Sequence, residues 1–252
     1  NSSLISEVAT NNNIYSSSFR DNKTFKQLFK ISGNSIISKS SLFCQSLIKN
    51  NFDASYVTGR LQVIAKNYAA KKSKDFFEEQ IFKATLKFSF VERLLPTANK
   101  KSNLYKYYED LKTSVPWLKN DPHYWVQYAM TRIQYKDYSK AQGYFDTAYG
   151  LAKNKYRYHT SNIDTQQGRL YLLVAINSSN PSDVNEYFRL AHRTFSSLND
   201  DVYKFRQLEK YRDFYEIQFK NLSRSNRAYF LTCCQQILNS ISKAERDGGL
   251  NL

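Results

Sequence analysis

Glycine and proline are scarce, at 7 and 4 in 252 residues, against ordinary usage of about 7% and 5%. Chains built from tight β-turns need both residues, so a turn-rich sandwich or barrel is disfavoured. No apolar run approaches the roughly 18 residues of a membrane-spanning helix, and no N-terminal signal sequence stands out. Cysteine is limited to Cys44, Cys233 and Cys234, too few for a disulfide framework. Cys233 and Cys234 are also neighbours on a predicted helix, pointing about 100° apart. These absences suit a reduced, cytoplasmic setting without membrane contact. Histidine is equally rare, and His123, His159 and His192 share no metal-ligand spacing with cysteines or carboxylates; no metal site is expected. No G-x-x-x-x-G-K-[ST] phosphate loop occurs. The first residue is Asn1 rather than Met, so the chain reads as an excerpt of something longer.

What is present is aromatic and basic. Hydrophobic residues make up 41%, and 20 Tyr and 17 Phe dominate an aromatic share of 15%. Long Lys/Gln/Leu/Tyr stretches with few breakers favour helices. Lys and Arg total 37 against 22 acidic residues, a formal charge of +15. That balance attracts an acidic partner or merely solvates the surface. The charge is spread along helices, with no block of five consecutive basic residues.

Residues 1–20, rich in Asn and Ser, read as a linker or irregular segment. A helical subdomain is expected over 21–115. It would contain short helices at 23–30 and 36–49, one starting at Asp53 or Ser55, a long one capped by Asp75 and running to Pro96, and one over 104–111. From residue 116 onward three helix pairs are predicted, at 122–135 and 138–153, 161–176 and 182–198, and 201–220 and 224–246. In the last pair Phe205, Leu208, Tyr215 and Phe219 would face Phe230, Cys234, Ile237, Leu238 and Ile241.

Residues 123–153 resemble a tetratricopeptide repeat unit. Trp125 and Ala129 lie four apart on the first helix, and Tyr138 opens the second, followed by Ala141, Phe145 and Ala148. Small alanines let two helices approach, and rings fill the gaps. Lys153 replaces the usual terminal Pro, and Arg132 stands where an aromatic is common. The second pair matches more loosely, with Gly168 and Ala191 as small residues and Tyr187-Phe188 as the aromatics. The third keeps only amphipathicity. The fold class expected is all-α, a helical-hairpin α-solenoid preceded by a smaller helical subdomain; a non-repetitive helical bundle is the alternative.

The runs WVQYA (125–129), YFDTAYGLA (144–152) and IDTQQGRL (163–170), with FSFVERLLP (88–96) and YYE (107–109), are similar to the C-terminal helical region of bacterial STAND NTPases of anti-phage defence. The likeness covers roughly residues 75–175. It implies a parent with an N-terminal effector, a central NTPase that would carry ATP and Mg²⁺, and a helical sensor. Such a sensor binds a phage protein and permits homo-oligomerisation. This segment itself would hold no cofactor.

No catalytic constellation is found: His159 and Asp164 lack a nucleophile or second base, and Cys233-Cys234 suits core packing. If the tetratricopeptide resemblance holds, the first helix of each pair lines a concave face. That face would present His123, Gln127, Met130 and Gln134, joined by Gln166 and Arg169, to a protein ligand. These residues would otherwise only contact neighbouring helices. The alternative function is a stand-alone basic scaffold or nucleic-acid-binding protein. It would use clusters such as Lys153, Lys155, Tyr156 and Arg157, whose tyrosine could stack on a base, or those at 71–74 and 204–212.

Overall fold

The computed structural model describes residues 23–32, 35–71, 75–155, 159–198 and 204–246; the expected linker over 1–20 lies outside them. The described residues are helical apart from one hairpin. Helix α1 (Lys23–Leu28) leads into β1 (Phe29–Ser32) and β2 (Ser35–Ser38), antiparallel with Phe29 opposite Ser38 and Ser32 opposite Ser35. The helix expected at 23–30 therefore ends at Leu28, and the one expected at 36–49 starts later, at Ser41. Ile31, Ile36 and Ile37 are stiff β-branched residues that favour extended backbone, and two residues separate the strands, the commonest hairpin spacing.

Local signals start the next helices. Ser40 caps α2 (Ser41–Asn51), accepting from the Phe43 N–H at 3.2 Å. Asp53 caps α3 (Ala54–Ala69) through the Tyr56 N–H at 2.7 Å. Asp75 and Glu78 form a capping box at α4 (Phe76–Leu86).

The long helix expected to reach Pro96 breaks at Lys87, which is extended (φ −73°, ψ 115°), and resumes as α5 (Phe88–Leu94). The break strands backbone groups, and three buried side chains satisfy them. Tyr107 Oη donates to the Thr85 carbonyl at 2.7 Å and Tyr108 Oη to that of Leu86 at 2.8 Å. The Phe88 N–H donates to Gln127 Oε1 at 2.9 Å. Both tyrosines lie on α6 (Lys100–Ser114) and are fully buried, and burial pushes both phenols well above their ordinary range.

A 3₁₀ turn (Pro116–Asn120) precedes α7 (Pro122–Gln134), capped by Asp121 and started by proline. Helix α8 (Tyr138–Lys153) returns along α7 after a turn in which Lys136 is left-handed (φ 59°). Helices α9 (Ser161–Asn177) and α10 (Pro181–Ser196) form the next pair. The third comprises α11 (Leu208–Gln218), shorter than the helix expected from 201, and α12 (Arg224–Arg246). Helix α9 packs against both α7 and α8, α11 against α9, and α12 against α10. Gln218 fastens one pair to the next, its Nε2 donating to the carbonyls of Ile176 at 2.8 Å and Ser178 at 3.0 Å.

Three apolar clusters result. The first joins α3–α6 to Tyr124 and Tyr128 of α7, so it runs unbroken across the subdomain boundary expected at 115/116. The second fills the α7–α8–α9 junction around Phe145. The third gathers Phe188, Phe195, Tyr211, Phe214 and Phe230 from α10, α11 and α12. In the last pair the expected facing set is partly corrected: Phe205 and Leu238 are exposed, while Tyr211 and Phe214 turn inward; Tyr215, though half exposed, does face Phe230, with ring centroids 6.2 Å apart.

Candidate functional site

The predicted face of α7 is not an open groove. Gln127 is 7% exposed and is spent on the Phe88 N–H. Met130 is wedged between the first and second clusters. His123 is half-buried, and burial pushes its imidazole below the usual range, opposed by Asp121 and assisted by Lys83 and Lys87. Helix α5 packs on α7 and takes up Gln127 through its first residue, Phe88. Gln134 alone of the four stays exposed. On α9, Gln166 and Arg169 are half-buried, and Gln166 Oε1 and Arg169 Nε are buried without a hydrogen-bond partner.

The open end of the α7 stripe enters a cleft of about 590 Å³ lined by Glu92, Thr97, Asn99, Lys100, Lys101, Ser102, Tyr105, Gln134 and Tyr135. Three elements build it: the end of α5, the start of α6 and the end of α7. Asn99 begins α6 in the left-handed region (φ 53°), with no side-chain cap and no acidic residue in the first turn. The positive end of the helix dipole therefore faces the cleft without a cap or an acidic residue in its own first turn. Lys100 is ion-paired with Glu92. The rings of Tyr105 and Tyr135 meet edge to face at 5.9 Å, and Lys101 Nζ lies 5.9 Å from both centroids.

Arg132 backs this wall. Its guanidinium sits 3.6 Å from the Tyr105 centroid. Nη2 donates to Tyr128 Oη at 2.8 Å and reaches Tyr144 Oη at 3.4 Å, and Nη1 pairs with Asp137 at 3.1 Å. Tyr128 in turn donates to Glu109 Oε1 at 2.7 Å. Burial opposes ionisation of Glu109, but hydrogen bonds from Lys112 and Tyr128 hold its carboxyl below the usual range. Burial also opposes charge on Arg132, and the surrounding tyrosines more than offset it, so its pKa is raised. The arrangement is a permanently charged, rigid brace.

Sequence reasoning missed Lys100, Lys101, Tyr105 and Tyr135. The signal lay in Arg132, a charge in a slot where a repeat usually carries a ring. A buried cation needs acceptors and π faces around it, and Tyr105 of α6, Tyr128 of α7, Tyr144 of α8 and Asp137 supply them.

Several members of the basic clusters are ion-paired, and Lys72 and Lys74 lie outside the described residues. Lys153 and Lys155 are exposed at the end of α8, with Lys155 3.4 Å from Asp121; Tyr156 and Arg157 lie outside the described residues. Lys71 pairs with Glu78, Lys210 with Asp213 at 2.6 Å, and Arg212 with Asp213 and Glu216. His159 is exposed and Asp164 half-buried. Burial alone pushes the Asp164 carboxyl up to about 6. Among the described residues no group of three His, Cys, Asp or Glu side chains is placed to hold a metal, and no helix is long and apolar enough to cross a membrane. Comparison with protein-family models, with curated proteins and with solved structures gives no match.

Proposed function

We propose that this chain is a recognition module, the sensor segment of a larger switch protein, and that it acts by binding a foreign protein rather than by catalysis. The observation that carries the reading is the cleft, where a lysine, two tyrosine rings and an amide converge on a wall stiffened by a buried arginine. Aromatic and cationic groups held on rigid helices are the composition of protein-binding hot spots. Helix pairs that pack in succession support an α-solenoid, tetratricopeptide-like in its alternation of small residues and rings. The resemblance to the helical region of STAND NTPases supports a phage protein as ligand, with the NTPase and effector lying beyond this segment.

The test is affinity capture by the 252-residue protein from phage-infected and uninfected bacterial lysates treated with nuclease. The expected result is enrichment of one phage-encoded protein that rebinds in purified form. Nucleic-acid binding gives the opposite pattern. Retention would vanish with nuclease, and affinity would fall about 10³–10⁵-fold between 50 and 200 mM salt if some six to ten phosphates were contacted.

A further inference from the structure

We propose that the cleft between α5, α6 and α7 seats one carboxylate of the bound protein, an aspartate or glutamate flanked by an apolar residue; this deepens the recognition reading and rests on it. The cleft's charge balance carries the argument. Two lysines line it, and one is matched: Lys100 pairs with Glu92. Lys101 forms no ion pair among the described residues, and its ammonium has only the two tyrosine rings for company. The uncapped first turn of α6 adds partial positive charge on the same side. Tyr105 Oη is itself buried, so this residue offers the cleft its ring and not its hydroxyl.

One unmatched cation calls for one negative charge. A phosphate dianion would bring a second charge up to Glu92, which already shares Lys100. A carboxylate is planar and singly charged, and it can take Lys101 while its backbone meets the Gln134 amide. A volume of about 590 Å³ exceeds what one carboxylate fills, and the Tyr105–Tyr135 pair offers the remaining wall to an aliphatic neighbour. That combination belongs to a peptide chain rather than to a free ion.

The experiment is a nuclear magnetic resonance titration of the ¹⁵N-labelled protein with a capped Leu-Glu-Leu peptide, its Leu-Gln-Leu counterpart and inorganic phosphate. Saturable shifts of the Lys101, Ser102 and Tyr135 amides are expected with the glutamate peptide. The glutamine peptide should bind at least about tenfold more weakly, the loss of one charge-assisted bond. Lys101→Glu should abolish the shifts, whereas Lys153→Glu should leave them. Lys101 is exposed, so its variant keeps the fold, which the amide spectrum itself confirms. Equal binding of the two peptides, persistence of the shifts in Lys101→Glu, or tighter saturation by phosphate overturns the proposal. So does undiminished capture of the phage protein by Lys101→Glu, and in that case the recognition reading survives while the cleft assignment falls.

Discussion

At the scale of single residues, the decisive choice is a cation at position 132. Arg132 is 7% exposed and touches Tyr105, Tyr128, Tyr144 and Asp137. Truncating one member of such a set leaves the others buried and unmatched, so Arg132→Ala should destabilise the fold by about 3–5 kcal/mol. Arg132→Lys should recover little, because an ammonium cannot both stack flat on Tyr105 and fork toward two hydroxyls. Urea unfolding of the three proteins measures this, and equal stability of the lysine variant would refute it. His192 makes a different choice. Gln236 Oε1 can only accept, so Nε2 carries the hydrogen at 2.9 Å and Nδ1 accepts from Tyr211 Oη at 2.9 Å. Burial pushes His192 below its usual range, with the Gln236 bond opposing. Below about pH 6.5 the unfolded chain therefore takes up the proton first, and stability falls with pH. Asp164 has the opposite sign. Its folded carboxyl is raised to about 6 from 3.8, so its ionisation costs stability from pH 4 upward, fully above pH 6. Unfolding midpoints between pH 4 and 7.5 should show a shallower acid loss in His192→Gln. Asp164→Asn should gain stability at pH 7.5, and that gain should disappear near pH 4.

At the scale of elements, α9 and α10 approach closely at Gly168. A Cβ on Gly168 would lie 2.5 Å from Phe195 Cε1, and Phe195 is fully buried, so the ring has nowhere to retreat. Gly168→Ala gains about 1 kcal/mol of helix propensity, but overpacking of this kind costs about 1–3 kcal/mol, and a net loss of stability is expected. Adding Phe195→Leu should return part of it, a coupling that a double-mutant cycle reads directly; additive losses would show that the two do not clash. Gly168 and Ala191 were legible in the sequence because small residues opposite rings leave a periodic trace. So were the caps at Asp53, Asp75 and Asp121, which follow from local hydrogen bonding. The break at Lys87 was not. The apolar spacing from Ile81 to Leu95 continues a helical period, and what makes the break tolerable is supplied by Tyr107, Tyr108 and Gln127, some 20 to 40 residues away. The β1–β2 hairpin was misread for a local reason: eight residues around a Gly-Asn pair are too few to separate periods of 2 and 3.6.

At the scale of the molecule, the charge of +15 and the ion pairs act in opposite directions on added salt. Surface pairs such as Lys83–Glu79 and Lys106–Asp110 contribute about 0–1 kcal/mol each and weaken with screening. Self-repulsion of the uncompensated lysines and arginines opposes the compact state and is screened as well, over a Debye length that shrinks from about 30 Å at 0.01 M to about 10 Å at 0.1 M. The pairs are local and mostly balanced, whereas the repulsion is summed over the whole surface, so the second effect wins. The melting temperature should therefore rise as sodium chloride increases from about 10 to 100 mM, and then level off as the screening length falls below the spacing between neighbouring charges. A basic surface held in waiting for nucleic acid would behave alike in this respect, so the second readout is binding. Single-stranded DNA should be retained only at the low-salt end, where repulsion is also strongest, and the acidic peptide should still saturate the Lys101 cleft at 100 mM. A melting temperature that falls with salt would mean that the ion pairs, not the net charge, govern the electrostatics of this fold.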